Sequence, residues 1–397
     1  MLPVPDEFEF DYRGTDVRYG RGRVEHLGEP LAERGLHDAL VVCGSNVGAN
    51  DAVMDPVRRG LGDRLVGVFD ETTPAKTVET VFDGVEVMRE VDPDVLVGLG
   101  GGSSLDVARQ MSVFAAGDRS LADLKRAARE GDVEPPAPQD PPTPVVVVPT
   151  TFAGADLSSG GSAEVFSARG SPTGQPVRTG GSLTPVAALY DPDLFETTPW
   201  RALAGSAMNG FDKGVETVYA PDATPRSDAT AVRGLRFLGE SLPAIADDPG
   251  DASAFDGAVV GVVLVQLDRR VSVVHAVGHG FARRYPVQQG AVHAVAVPHV
   301  LRFVLDRVDG RRAVLAEGLG LDPTRPDDDL AEGIVDAVTE VRDALGLPSR
   351  LGELDPVAEA DLPAVAEFVV DDPAMGNAPR GLDADADDVE RVLREAW

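Results

Sequence analysis

Four of the six histidines in this 397-residue chain, His275, His279, His293 and His299, fall within 25 positions of one another. His275 and His279 are four apart, so on a helix they share one face. Imidazoles so placed serve either as a metal or acid–base pair or as ordinary packed residues. The continuation AVAVPHV fills an apolar helix face, which assigns His293 and His299 to packing. A second stretch with chemical content is VLVGLGGGSSLDVAR, Val95 to Arg109. Its apolar run reads as a buried strand, Gly100, Gly101, Gly102 and Ser103 turn the chain, and helical spacing resumes at Leu105. Glycines let the backbone pass close to a ligand, and the amides that open a helix carry partial positive charge, so the natural occupant is a phosphate; the alternative is a plain flexible turn. No Gly-Lys-Ser/Thr follows, which excludes a P-loop.

The elements that must hold these residues divide the chain in two. ALVVC, RLVGVF, VLVGL, VVVVP and PVAALYDPDLF read as buried strands, preceded by a shorter candidate, DVRYG. Helices are expected at Val24–Arg34, up to about Leu61, at Val78–Glu90 and from Leu105. Strand–helix alternation of this kind predicts a parallel α/β sheet. GSNVG, after ALVVC, is another turn at a strand's carboxyl end, where ligands of parallel sheets collect. Glu134–Pro144 is an extended loop because of its prolines. PTTFAGADLSSGGS, from Pro149, reads as a hairpin or as further contacts to the ligand of the glycine turn, through Thr150 and Thr151. From Trp200 the pattern is helical, over Ala202–Tyr219, Asp228–Ala246, Asp256–Arg283, Ala291–Val308, Leu330–Leu345 and Val389–Trp397. The expected organisation is an α/β domain over 1–198 and an all-helical domain over 199–397, with the histidines facing the glycine turn across a cleft.

Composition bounds the function. Acidic residues number 66 against 36 basic, a net charge of -30, and Asp and Glu are spread through ordinary apolar periodicity rather than collected in a tail. Lys76, Lys125 and Lys213 are the only lysines, an Asp-rich, Lys-poor pattern that resembles proteins of salt-accumulating halophiles. Such a charge makes nucleic acids and anionic membranes poor partners and leaves a small-molecule substrate as the expected one. The start of the chain, MLPVPDEFEFDYRG, has no basic segment followed by an apolar one, and no long apolar run follows, so a cytoplasmic protein is expected; a homodimer is compatible with it. The single cysteine, Cys43, excludes an intramolecular disulfide and a multi-cysteine metal site.

Five blocks, GLGGGSSLDVAR, VVVPTTFAGADLS, ALYDPDLFETTP, NGFDKGVETVYA and VHAVGHGFARRYPVQQGAVHAVAVPHVLRF, occur in the order and spacing of the iron-containing alcohol dehydrogenase-like superfamily, which the chain resembles from about residue 15 onward. PTTFAGAD is closest to the corresponding segment of the maleylacetate reductase branch. The resemblance implies a dinucleotide-binding α/β domain, a helical domain and hydride transfer involving NAD or NADP. It places Gly101, Gly102 and Ser103 at the cofactor pyrophosphate, with Gly100 in the same turn, Asp106 at the family's aspartate of that motif, and Thr150 and Thr151 on the phosphate and nicotinamide side. Gly44 stands where NAD-preferring members often carry an Asp for the adenine ribose, so nothing at that position repels a 2′-phosphate.

The family binds iron or zinc through an Asp and a His four apart, then two later histidines. The resemblance puts Asn209 at the Asp, Lys213 at the first His, His275 at the second and Gln289 at the third; a second alignment uses Asp212 and Glu216 but breaks the match around Glu216 to Ala220. An ammonium cannot ligate while protonated, and Asn and Gln offer neutral oxygens, so a tightly held divalent metal is not expected. Lys213 then stands as a fixed positive charge in place of the metal, with Asn209 and Gln289 as partners, or as a surface lysine. His279 matches the histidine assigned to proton relay. The expected activity is that of an NAD(P)-dependent dehydrogenase or reductase with Lys213, His275 and His279 at its centre. A lyase of the dehydroquinate synthase type, and a cofactor-binding protein without catalysis, are the alternatives.

Overall fold

Uninterrupted apolar runs make the central strands, because a strand covered by helices on both faces has no side to give to polar residues. Ala39–Val42 and Val145–Val148 are wholly buried in this way. The structure, a computed structural model, describes residues 2–171 and 174–397. It separates into a unit of Pro5–Thr151 with Ala155–Thr198, and a second unit of Pro199–Trp397 joined by Phe152–Gly154 and a short N-terminal piece ending at Val4.

In the first unit, β1 (Glu7–Tyr12), β2 (Thr15–Gly20), β3 (Ala39–Val42), β4 (Leu65–Phe69), β5 (Val95–Gly100), β6 (Val145–Pro149) and β9 (Ala187–Tyr190) form one sheet in the order β1-β2-β9-β6-β5-β3-β4. All neighbours are parallel except β1, which pairs antiparallel with β2. β7 (Ala163–Phe166) and β8 (Val177–Thr179) form a separate antiparallel pair. The helices are α1 (Gly28–Ala32), α2 (Ser45–Gly48), α3 (Asp51–Leu61), α4 (Val78–Val91), α5 (Gly102–Ala115), α6 (Leu121–Arg129) and α7 (Pro192–Glu196). The helix expected over Val24–Arg34 is instead a 3-10 turn, Arg23–His26, followed by the short α1, whose first residue, Gly28, is fitted against the carbonyl of Gly60.

Counted from β3, the parallel strands run second, first, third, fourth and fifth across the sheet, so the direction of winding reverses between β3 and β5. Ligands of open α/β sheets bind at that reversal, outside the carboxyl ends of the strands. The Gly44 turn follows β3 and the Gly100–Ser103 turn follows β5, so both lie there.

The second unit holds α8 (Trp200–Tyr219), α9 (Pro225–Asp247), α10 (Ala252–Gln266), α11 (Val273–Ala282), α12 (Gln289–Leu305), α13 (Arg312–Gly318), α14 (Asp327–Ala344), α15 (Leu362–Val370) and α16 (Ala386–Glu395). Here the expectation of one helix over Asp256–Arg283 is corrected: it breaks into α10 and α11. Asp268 adopts the left-handed region (φ 57°), and the amide of Arg270 leaves the helical pattern to donate to the Thr217 hydroxyl at 2.8 Å. The break creates a fresh helix start at Val273, with backbone N–H groups that need acceptors. Among the described residues no helix is long and apolar enough to cross a membrane.

Candidate active site

At the end of β5, Gly100 has φ +124°, a conformation that a side chain would strain. A Cβ on Gly101 would approach Thr151 Cγ2 to 3.4 Å and one on Gly102 would approach the Ala155 methyl to 3.3 Å, so the turn is a close-walled cradle. α5 opens at Gly102 with no side chain capping its first amides. Bare amides at the start of a 14-residue helix, at the sheet's reversal point, fit a pyrophosphate. The Thr150 amide donates to Gly100 O at 3.1 Å, which fixes the two strand ends to each other, while Thr150 O accepts the Thr198 hydroxyl at 2.8 Å. Ser103 and Thr151 are partly exposed at the turn. Asp106, on the first turns of α5, is bound to Lys76 Nζ at 2.7 Å and to Arg109 at 3.3 Å. Arg109 in turn donates to the carbonyls of Ala155 and Asp156, so this ion group braces the segment after Thr151.

In the helical unit, α8 is buried almost throughout, and its polar residues must find partners inside the protein. Gly210 is the reason a loop can lie against it: a Cβ there would sit 2.2 Å from Phe152 O. The loop thereby brings Ala153 O to Lys213, whose Nζ donates to that carbonyl and to Asn209 Oδ1 at 2.6 Å each, and to Asn209 O at 3.3 Å. Lys213 is 6% exposed, which rules out the surface lysine. His275 Nε2 lies 3.3 Å from the same Asn209 Oδ1.

The hydrogen-bond directions follow from these contacts. An ammonium only donates, so the atom of Asn209 facing Lys213 is its oxygen. That oxygen also faces His275 Nε2, which must therefore carry a proton. The other ring nitrogen, Nδ1, is in a very short contact with Glu216 Oε2, while Glu216 Oε1 accepts from the amides of Val274 and His275 at 2.7 and 3.1 Å. Burial and the neighbouring Asp212 push the Glu216 carboxyl up to about 8. Burial, with the fields of His293 and Lys213, holds the His275 ring well below its ordinary value. Both directions favour a neutral pair in which the Glu216 acid donates to Nδ1.

Around this centre the histidines form a column. The ring of His275 is 4.5 Å from that of His293 and 6.4 Å from that of His279. His293 is fully buried beside Asp212, with Nδ1 3.2 Å from Asp212 Oδ2 but without hydrogen-bond alignment; both Asp212 oxygens are unpartnered. Burial pushes Asp212 well up, against the opposing field of Lys213, and pushes His293 down. His279, the most exposed of the three, has Nδ1 3.2 Å from each oxygen of Asp372. Burial acts to raise Asp372, but the His279 and Ala374 hydrogen bonds and Arg283 outweigh it and hold the carboxyl low. Gln289 opens α12 beside Gly278, and His299 lies further along that helix. Asp372 and the partner role of Glu216 are what sequence reasoning misses.

The donor set does not fit iron or zinc. Lys213 has no lone pair, Asn209 Oδ1 already accepts from two donors, and the His275 nitrogen on that side carries a proton. Among the described residues, no three His, Cys, Asp or Glu side chains are grouped to hold a metal ion, and this includes the alternative pair Asp212 and Glu216.

The model of the iron-containing alcohol dehydrogenase family matches residues 14–192, and that of the C-terminal part of the Fe-containing alcohol dehydrogenase family matches residues 203–397. The chain belongs to the iron-containing alcohol dehydrogenase family. A family relative, the NAD-dependent methanol dehydrogenase of Bacillus methanolicus, is 28% identical over 386 residues, covering 95% of this chain and 97% of that one. A maleylacetate reductase of Sphingobium indicum is 27% identical, covering 91% of each. The crystal structure of a 1,3-propanediol oxidoreductase superposes with a TM-score of 0.83 at 24% identity, covering 96% of this chain and 97% of the other, and so shares the fold.

Proposed function

We propose that this oxidoreductase is an NAD(P)-dependent dehydrogenase or reductase for a small alcohol, carbonyl compound or unsaturated keto-acid, and that it works without a divalent metal. The observation that carries the reading is the buried ammonium of Lys213, held by Ala153 O and Asn209 where the family resemblance has a metal-binding histidine. The names of the two relatives, one a NAD-dependent methanol dehydrogenase and one a maleylacetate reductase, support the cofactor and the substrate range. The amides of the glycine turn at Gly101–Ser103 would hold the pyrophosphate of a reduced nicotinamide cofactor, which would supply hydride to the substrate carbon. Lys213 stabilises the negative charge that grows on the substrate oxygen, replacing its long 3.3 Å bond to Asn209 O with one to that oxygen. A fixed cation of this kind also favours a carboxylate-bearing substrate. His279, tied through Nδ1 to Asp372, has Nε2 left to pass a proton.

One observation favours a cofactor-binding protein without catalysis: Lys213 Nζ has three acceptors within the protein, Ala153 O, Asn209 Oδ1 and Asn209 O. Mixing the protein in high salt with NADH or NADPH and a panel of aldehydes, ketones and unsaturated keto-acids separates the two. Loss of the reduced-nicotinamide absorbance with one substrate class supports the reductase. Cofactor binding with no turnover across the panel supports the binder.

A further inference from the structure

The break between α10 and α11 leaves the amides of Val274 and His275 at a helix start, and Ser272, the residue at the cap position, makes no side-chain cap. Glu216 takes over that role from the neighbouring helix with Oε1, at 2.7 and 3.1 Å, and its second oxygen is thereby directed at His275 Nδ1. Glu216 is 0% exposed, so nothing in solvent competes for either oxygen. On the opposite edge of the same ring, the ammonium of Lys213 fixes Asn209 Oδ1 as the acceptor for Nε2.

We infer that Glu216 is a positioning residue, a buried carboxylic acid that caps α11 and donates to Nδ1, locking His275 as a neutral imidazole with its proton on Nε2, toward Asn209 and Lys213. The inference rests on the proposed function only in taking His275 as part of the site. One proton is counted: it lies on Glu216 Oε2 and is shared with Nδ1, while the Nε2 proton belongs to the ring. Asp212, Tyr219, His279, His293 and Lys213 are the other ionisable groups at this cluster; the Tyr219 hydroxyl donates to Glu216 Oε1 at 3.3 Å, leaving Oε2 to Nδ1, and His293 packs on the ring face and adds no acceptor to Nδ1. A carboxylic acid and a primary amide each pair a carbonyl acceptor with a donor on the other arm, the amide carrying a second N–H, so glutamine can accept from the α11 amides and donate to Nδ1 as Glu216 does here, and an apolar residue cannot.

The test is nitrogen-15 NMR of histidine-labelled protein, the His275 signals being identified by their loss in His275→Asn, together with turnover of Glu216→Gln and Glu216→Leu. The expected spectrum shows His275 with an unprotonated Nδ1 and a protonated Nε2 across the neutral pH range, and the same pattern in Glu216→Gln. Glu216→Gln is expected to keep turnover within about threefold, and Glu216→Leu to lose about 10- to 100-fold, the scale for partners that orient a site imidazole. A His275 protonated on both nitrogens in the wild-type protein, or the opposite tautomer, overturns the inference even if Glu216→Leu fails to fold. So does a Glu216→Gln that loses as much as Glu216→Leu. The tautomer is read without substrate, so its failure is separate from any failure to find the reaction.

Discussion

Lys213 Nζ and Asn209 Oδ1 lie 2.6 Å apart on successive turns of α8, and the same oxygen faces His275 Nε2 at 3.3 Å. An amide oxygen between a cation and an imidazole N–H makes a small, directional, positively charged site out of residues that cannot collect around a metal. The charge is held at low exposure, where it is weakly screened, which is the condition for it to act on a reacting oxygen.

Replacing Lys213 by methionine keeps most of the buried aliphatic volume and removes the charge. The expected result is a fall in kcat of about 100- to 1000-fold, the scale for loss of a donor aimed at a developing oxyanion. Affinity for NADH or NADPH, followed by nicotinamide fluorescence, is expected to stay within about twofold of wild type, since the phosphate turn belongs to the other unit. Unchanged turnover would make Lys213 a structural tie to Ala153 and nothing more.

Asp191 gives a stability prediction away from the site. It caps α7 through the Asp193 amide and accepts from Gly22 and Val24, and burial pushes it up to about 6. The folded protein therefore keeps this proton between the ordinary carboxylate value of 3.8 and about 6, while the unfolded chain loses it. The unfolded state binds fewer protons in that window, so this group's contribution to stability falls as pH rises through it, by an amount on the order of 3 kcal/mol. Many paired carboxylates act in the opposite sense, so the contrast with Asp191→Asn is the useful quantity. Urea unfolding on both sides of the window should show the variant gaining relative to wild type as pH rises; a constant difference would mean that Asp191 stays ionised.

The net charge of -30 predicts a salt response. Raising ionic strength from about 0.1 M to 1 M shortens the screening length from about 10 Å to 3 Å, which removes most of the repulsion between separated surface carboxylates. The melting temperature is expected to rise with potassium chloride over this range. A flat or falling curve would show that the surface ion pairs, and not the excess of acid, dominate.

Much of the architecture was legible because apolar runs such as Ala39–Cys43 and Val145–Val148 are short, rich in valine and bounded by Gly or Pro, which selects a covered strand over a buried helix. α6 was not, because it is only nine residues long and buries just Leu124 and Ala128, too few to mark an apolar period. The α10–α11 break was hidden for the opposite reason: apolar periodicity continues on both sides of it, and the causes, Asp268 backbone geometry and the Thr217 hydroxyl, are not periodic features. The site divides in the same way. Asn209 and Lys213 are four apart and can be paired by counting, whereas Glu216 meets His275 59 positions away and Asp372 meets His279 93 positions away. From sequence, Glu216 reads only as an alternative ligand beside Asp212; its place at the start of α11 depends on a helix end that had first to be seen. His293, assigned to packing, is indeed buried, but against His275 and Asp212 rather than in apolar surroundings alone.

The central claim is that Lys213, and not a divalent cation, supplies the positive charge at this site. The most direct measurement is the rate of reduced-nicotinamide oxidation, with an active carbonyl substrate, by protein stripped exhaustively with a chelator and then assayed with and without added iron or zinc. The account predicts an undiminished rate in the stripped protein and no gain on adding metal. A rate that collapses on stripping and returns with one equivalent of iron or zinc would contradict it.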